Sequence, residues 1–263
     1  MQIIDIHRHY HRTEGDLEAY MARADEAGIT KVGMSTCGPL FNQFENEGVI
    51  RAREAYPDRI IGFGYVKLGI DGVETVDHLN TLGFEALKMI VPKVAYNDPS
   101  LLPIYQRAEA LGMPCNIHCG ILGRLRNEAG HDVAMSRMRP VMLDRALRYC
   151  PDLRILMPHL GQPWYEEAWM MLAYWDNLYW DLSSVILKRS TGFLNDLFLG
   201  WGEEVWQRVS RRLCFCSDTS DPVMMLDAYE KLLDAMGADD ELRASVYHGA
   251  ALRLMGEAEA PKP

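Results

Sequence analysis

The sequence predicts a (β/α)8 TIM barrel, and three observations carry that prediction. Short apolar runs rich in β-branched or aromatic residues alternate with helix-like stretches along nearly the whole chain. Eight such strand–helix units occupy about 250 residues, the usual size of this fold. No linker, repeat or low-complexity stretch divides them. A doubly wound open sheet is the competing arrangement of the same alternation. One barrel domain is therefore expected over 1–256, followed by a flexible tail over 257–263.

Strands are predicted at 3–6, 31–35, 60–66, 86–91, 114–118, 153–158, 178–182 and 213–217, most of them bounded by Gly, Pro or Asp. The first helix, 16–27, stops at Gly28, a favoured C-terminal residue. The second, 43–56, ends before Pro57, and the third, 73–82, ends before Gly83. The fourth, 99–111, has Pro99 at its start and Gly112 past its end, as helix termini prefer. Helices at 137–149, 164–175, 195–209 and 223–236 follow, with a further one near 240–247.

Composition narrows the function. A chain of 263 residues, 48% hydrophobic and 24% charged, reads as a soluble globular protein. Its formal charge of −10 argues against nucleic-acid or acidic-membrane partners. A strand-like start and the lack of a long apolar run argue against a signal peptide or a membrane span, so a cytoplasmic location is expected. The six cysteines are then read as reduced thiols in a core rather than as disulfides.

Barrel enzymes place their chemistry at the C-terminal ends of the strands. His7 and His9 end the first run, in Asp5-Ile6-His7-Arg8-His9. Side chains two apart on a strand point the same way, so the pair makes a half-site for a divalent metal. With 8 His in 263 residues, one such pair is weak evidence by itself. The other strand ends supply its partners: His118 on the fifth, His159 on the sixth and Asp218 on the eighth. Each has a plainer reading alone, as a hydrogen-bonded surface histidine or, for Asp218, as the cap of the next helix. Gathered at one end of one barrel, they point to a metal site with a spare histidine to move a proton. Three neutral imidazoles and one carboxylate leave a divalent ion with net positive charge, able to lower the pKa of a bound water or polarise a substrate oxygen.

These motifs resemble those of the amidohydrolase superfamily, in particular the amidohydrolase-related branch that includes aminocarboxymuconate-semialdehyde decarboxylase. Asp5-Ile6-His7-Arg8-His9 matches the first-strand motif, and His118 the fifth-strand histidine. Pro158-His159-Leu160-Gly161 resembles the branch's His-x-Gly-Gly segment. Ser217-Asp218 with Asp221-Pro222 resembles its Gly-Ser-Asp segment, and Gly249-Ala250-Ala251-Leu252-Arg253-Leu254 its closing helix. The resemblance implies a TIM barrel of the metal-dependent hydrolase type. It implies that His7, His9, His118 and Asp218 hold one divalent metal, zinc ahead of manganese, and that His159 carries protons beside Asp218. The chain also departs from the pattern. Ile90 stands where many relatives carry a fourth-strand histidine, and Gln162 replaces the second Gly after His159. Lys88 invites a second metal bridged by a carboxylated lysine, but a buried, partnered lysine on the barrel wall is the preferred reading.

Other residues bear on the substrate. The long segment 119–136 carries Arg124, Arg126 and His131, with Arg137 and Arg139 just beyond. Arginines grip carboxylates through two parallel bonds, so this basic cluster suggests a carboxylated substrate. Its alternative is pairing with Glu128, Asp132 and neighbours on a solvated face. Trp164, five residues after His159, and Phe41, after the second strand, join Arg124 and Arg139 as candidate substrate contacts. All six tryptophans fall between 164 and 206, which reads as core packing or a subunit interface and so admits a homodimer. The expected activity is hydrolysis of a small carboxylated cyclic or aromatic compound through a metal-activated water. The alternative is non-oxidative decarboxylation of a small aromatic or unsaturated carboxylic acid at the same site. A barrel that keeps a metal but has lost catalysis is a third reading, opposed by the spare His159.

Overall fold

The computed structural model describes residues 2–125 and 131–257. Seven parallel strands follow one another in chain order around a curled sheet. They are β1 (Ile3–His9), β2 (Ile29–Ser35), β3 (Ile60–Tyr65), β4 (Ala86–Met89), β5 (Cys115–Ile117), β6 (Ile155–Met157) and β7 (Leu178–Trp180). Helices α1 (Asp16–Glu26), α2 (Glu47–Ala55), α3 (Val73–Thr81), α4 (Leu102–Ala110), α5 (Asp144–Tyr149) and α6 (Tyr165–Tyr174) connect them on the outside. Helices α7 (Thr191–Leu199), α8 (Glu203–Ser210), α9 (Pro222–Ala235), α10 (Asp240–Ala244) and α11 (Ala250–Met255) complete the chain. Six of the seven strands are buried at every position, as expected where helices cover one face and the barrel interior the other.

The eighth unit is the largest departure from the predicted strands. Residues 213–218 form no ladder, yet they close the barrel between β7 and β1. Cys214 N donates to Trp180 O at 2.8 Å, Ile6 N to Phe215 O at 3.2 Å, and Asp218 N to His7 O at 2.7 Å. Phe215 N turns instead to Val246 O at 3.0 Å, and Asp218 takes a left-handed φ of 56°, so regular pairing stops. Two predicted helices are also broken. The 195–209 stretch divides into α7 and α8 at Gly202, whose φ is 93°. Pro140 interrupts 137–149, leaving 3-10 turns before the short α5.

One local irregularity decides what the site contains. Ile4 and Ile6 point into the barrel, where they pack with Phe63, Leu156, Tyr179 and Cys216 above α11. Simple alternation would then send His7 and His9 outwards. The register of β1 against β2 slips between Asp5 and Arg8, and this bulge turns His7 and His9 inwards instead. Asp5 holds the slip in place. Its Oδ1 accepts from His7 N at 3.2 Å and from Ser217 N at 3.0 Å, and its Oδ2 accepts from the Tyr20 hydroxyl of α1 at 2.5 Å.

The six cysteines are buried and unpaired. Among the described residues, no helix is long and apolar enough to cross a membrane. Of the expected tail, 258–263 lie outside the described residues.

Candidate metal centre

The inner ends of β1, β5, β6 and the closing segment meet at the mouth of the barrel. His7 Nε2 and His9 Nε2 face each other at 3.2 Å. Asp218 Oδ1 lies 3.4 Å from His9 Nε2 and 3.8 Å from His7 Nε2. These three donors lie within 4.8 Å of one another; His118 stands outside that cluster but lines the same cavity. The His118 ring is 5.0 Å from that of His159, which is 5.6 Å from that of His7.

Hydrogen bonds fix which ring nitrogens face inwards. Asp181, just past β7, accepts from His7 Nδ1 at 3.0 Å through Oδ2, while its Oδ1 accepts from His159 N at 3.0 Å and Ser183 N at 2.9 Å. Burial pushes the Asp181 carboxyl up, but the hydrogen bond from His7 Nδ1, the neighbouring imidazoles and the His159 backbone N–H outweigh it. The group is held well below the usual carboxylate range. An ionised carboxylate only accepts, so His7 keeps its proton on Nδ1 and offers a lone pair at Nε2. His159 Nδ1 donates to Ser183 O at 2.8 Å, which leaves Nε2 as its open lone pair. Burial, followed by nearby cationic and imidazole charges, holds His9 and His118 neutral, with His7 also lowered by burial and then by Lys88.

Asp218 is free for this role because the capping duty falls elsewhere. Asp221 Oδ1 caps α9 by accepting from Met224 N at 3.0 Å. Arg8, on the outer face of β1, donates to Asp218 O at 3.0 Å and pairs with Asp16 while its guanidinium lies over Tyr20. That clamp supports the left-handed turn that Asp218 adopts.

A cavity of about 730 Å³ opens above these groups. His9, His118, His159 and Asp218 form its polar floor, while Leu40, Phe41, Ile90 and Leu122 supply apolar wall. Arg124 lies at its exposed rim. Two expected substrate contacts do not reach it. His159, Leu160 and Gly161 take left-handed φ values of 60°, 45° and 56° in succession, which carries the chain away before Trp164. Trp164 and Arg139 instead line a second cavity of about 550 Å³ with Tyr165, Glu167 and Phe193. There the Arg139 guanidinium is bound to Glu167 and lies 5.5 Å from the Trp164 ring centre. Arg137 likewise pairs with Asp132 at 2.8 Å, and Arg126 lies outside the described residues. The tryptophan-rich third is mainly core: Trp169, Trp180, Trp206 and Phe198 form one buried aromatic cluster.

Asp181, Asp5, Asn116 and Arg8 are neighbours of the candidate site whose part in it sequence reasoning passed over. A signal for Asp181 existed: a lone carboxylate at inward parity in the apolar run Leu178-Tyr179-Trp180-Asp181-Leu182. Lys88 is indeed a buried, partnered lysine, with Nζ 3.0 Å from His7 Nε2 and 2.9 Å from Asn116 Oδ1.

With the ring of strand-end residues in view, nearly the whole chain matches one family, amidohydrolase, over residues 4–256. The chain belongs to the amidohydrolase family. Solved structures agree on the fold. An uncharacterised TIM-barrel protein from Bordetella bronchiseptica superposes with a TM-score of 0.73 at 17% identity, covering 98% of this chain and 99% of that one. A probable 2-pyrone-4,6-dicarboxylic acid hydrolase from Acinetobacter baumannii, with citric acid bound, gives 0.66 at 16% identity over 97% and 100%. A 5-carboxyvanillate decarboxylase from Novosphingobium aromaticivorans, with manganese and 3-methoxy-4-hydroxy-5-nitrobenzoic acid bound, gives 0.63 at 14% identity over 97% of each chain. A comparison with curated proteins finds no match. Amidohydrolases use a divalent metal, and this chain's donors suit one. His118 Nε2 is buried without a hydrogen-bond partner among the described residues, and the Nε2 atoms of His7 and His9 face each other beside a carboxylate.

Proposed function

We propose that this amidohydrolase is a metal-dependent hydrolase of a small carboxylated cyclic or aromatic compound. The observation that carries the reading is the pairing of a converging donor set with a separate histidine whose open nitrogen borders the same cavity. His7, His9 and Asp218 would hold one divalent ion, zinc ahead of manganese, with His118 completing the set. Such an ion supplies a Lewis acid that polarises a carbonyl oxygen and acidifies water.

The chain's own groups supply the rest. His159, held by Ser183 O through Nδ1, can take a proton at Nε2 from an attacking water and return it to the leaving group. Asp181 keeps His7 in the tautomer a ligand needs. Arg124 at the rim pairs with a substrate carboxylate, while Phe41 and Ile90 pack against an apolar ring and exclude water. A second reading, decarboxylation at the same site, is favoured by the fold likeness to a decarboxylase and by an apolar wall that would weaken hydration of a substrate carboxylate.

The test is elemental analysis of the purified chain, then a screen of lactones, amides and aromatic carboxylic acids with carbon dioxide detection. Hydrolysis predicts about one divalent ion per chain and turnover of lactone or amide bonds without gas release. Carbon dioxide release moves the assignment to decarboxylation. A chain that binds no divalent ion, even after reconstitution, ends both readings.

A further inference from the structure

Two partners contend for one nitrogen. His7 has its Nδ1 proton committed to Asp181, so Nε2 presents a single in-plane lone pair. That lone pair is the one a metal would take. Lys88 Nζ already lies 3.0 Å from it, nearer than His9 Nε2 at 3.2 Å. Lys88 rises from β4 into the barrel interior and is 0% exposed. Among the described residues it forms no ion pair with a carboxylate within 4.0 Å, and Asn116 Oδ1 at 2.9 Å is its other hydrogen-bond partner. A buried amine needs its N–H groups satisfied, so this lysine depends on His7.

We propose that Lys88 is an internal competitor for the metal: its amine holds His7 Nε2 in the metal-free protein, and metal entry requires it to move off His7 and rely on Asn116. The proposal rests on the metal-centre reading above. It follows from geometry, because one sp2 nitrogen lone pair cannot serve a lysine N–H and a metal at full strength together. Two consequences follow. The metal-free centre stays assembled, since Lys88 ties β4 to β1 where the ion would otherwise do so. Metal affinity is also lower than the donor set alone would give.

The experiment titrates zinc calorimetrically into the metal-stripped chain and into its Lys88→Met variant. Competition predicts that Lys88→Met binds zinc more tightly by about tenfold, the scale of one hydrogen bond to a charged or strongly polar group. Equal or weaker binding by the variant overturns it. The unmodified chain supplies a second readout that does not depend on the variant folding. In crystals grown metal-free and then with zinc, the contact between Lys88 Nζ and His7 Nε2 should be present first and broken second. Its persistence beside bound zinc overturns the proposal. If only Lys88→Met takes up zinc, competition holds in its strongest form. If both bind zinc equally, this inference falls and the metal centre stands. If neither binds zinc, the metal-centre reading falls and takes the inference with it.

Discussion

Two cavities of this barrel hold similar residue types and differ in what those residues are free to do. The larger one has imidazoles with open nitrogens, a carboxylate released from capping, and an apolar wall. The smaller one has an arginine, a glutamate and aromatic rings, but its arginine is already spent on Glu167 and stacked against Trp164. A charge that the chain satisfies internally has little left for a ligand, whereas a buried polar group left open is costly unless something fills it. The contrast also shows that closeness in sequence is a poor guide to closeness in space. Trp164 is five residues from His159 and belongs to the other cavity.

The strongest way to break this comparison is to remove ligands from the larger cavity. His7→Ala and Asp218→Ala should strip the metal and abolish turnover together. His159→Ala should keep the metal and still lose about 10²–10⁴-fold in turnover, the usual worth of general acid–base catalysis. Metal analysis beside kinetics separates the two; loss of metal from His159→Ala would make His159 a ligand.

A smaller effect should come from the layer beneath. Asp181→Asn removes the acceptor that sets the His7 tautomer, and should weaken metal binding by about 10–100-fold with the fold intact. Chelator competition reads this directly, and unchanged affinity would show that His7 needs no orienting partner.

The smallest effects test the two arginines against each other. Arg124→Ala should raise KM for a carboxylated substrate by about tenfold or more, from the loss of a charge-assisted hydrogen bond. Arg139→Ala should leave kcat and KM within about twofold, since the surface pair it breaks contributes at most about 1 kcal/mol to stability. Equal losses from both substitutions would erase the distinction between the cavities.

Much of this could be read from the chain itself. Alternating apolar runs and helix-like stretches gave a barrel because the strands are short and bounded, and six of the seven are buried at every position. The strand-end rule gathered His7, His9, His118, His159 and Asp218, because position along a strand is a one-dimensional property. Arg124 and Phe41 were also legible, as loop residues following strands at that same end.

Tertiary structure decided the rest. Parity counted from Ile4 and Ile6 would have turned His7 and His9 out of the barrel, and only the slip held by Asp5, Tyr20 and Ser217 turns them in. Those partners lie 15 and 212 residues from Asp5, so no local pattern announces the bulge. The same holds for Asp181 beneath His7, and for Glu167 capturing Arg139. Residue type and spacing determined which side chains gather at one end of the barrel. Long-range hydrogen bonds, which depend on chain segments meeting only after folding, decided which of those side chains face one another.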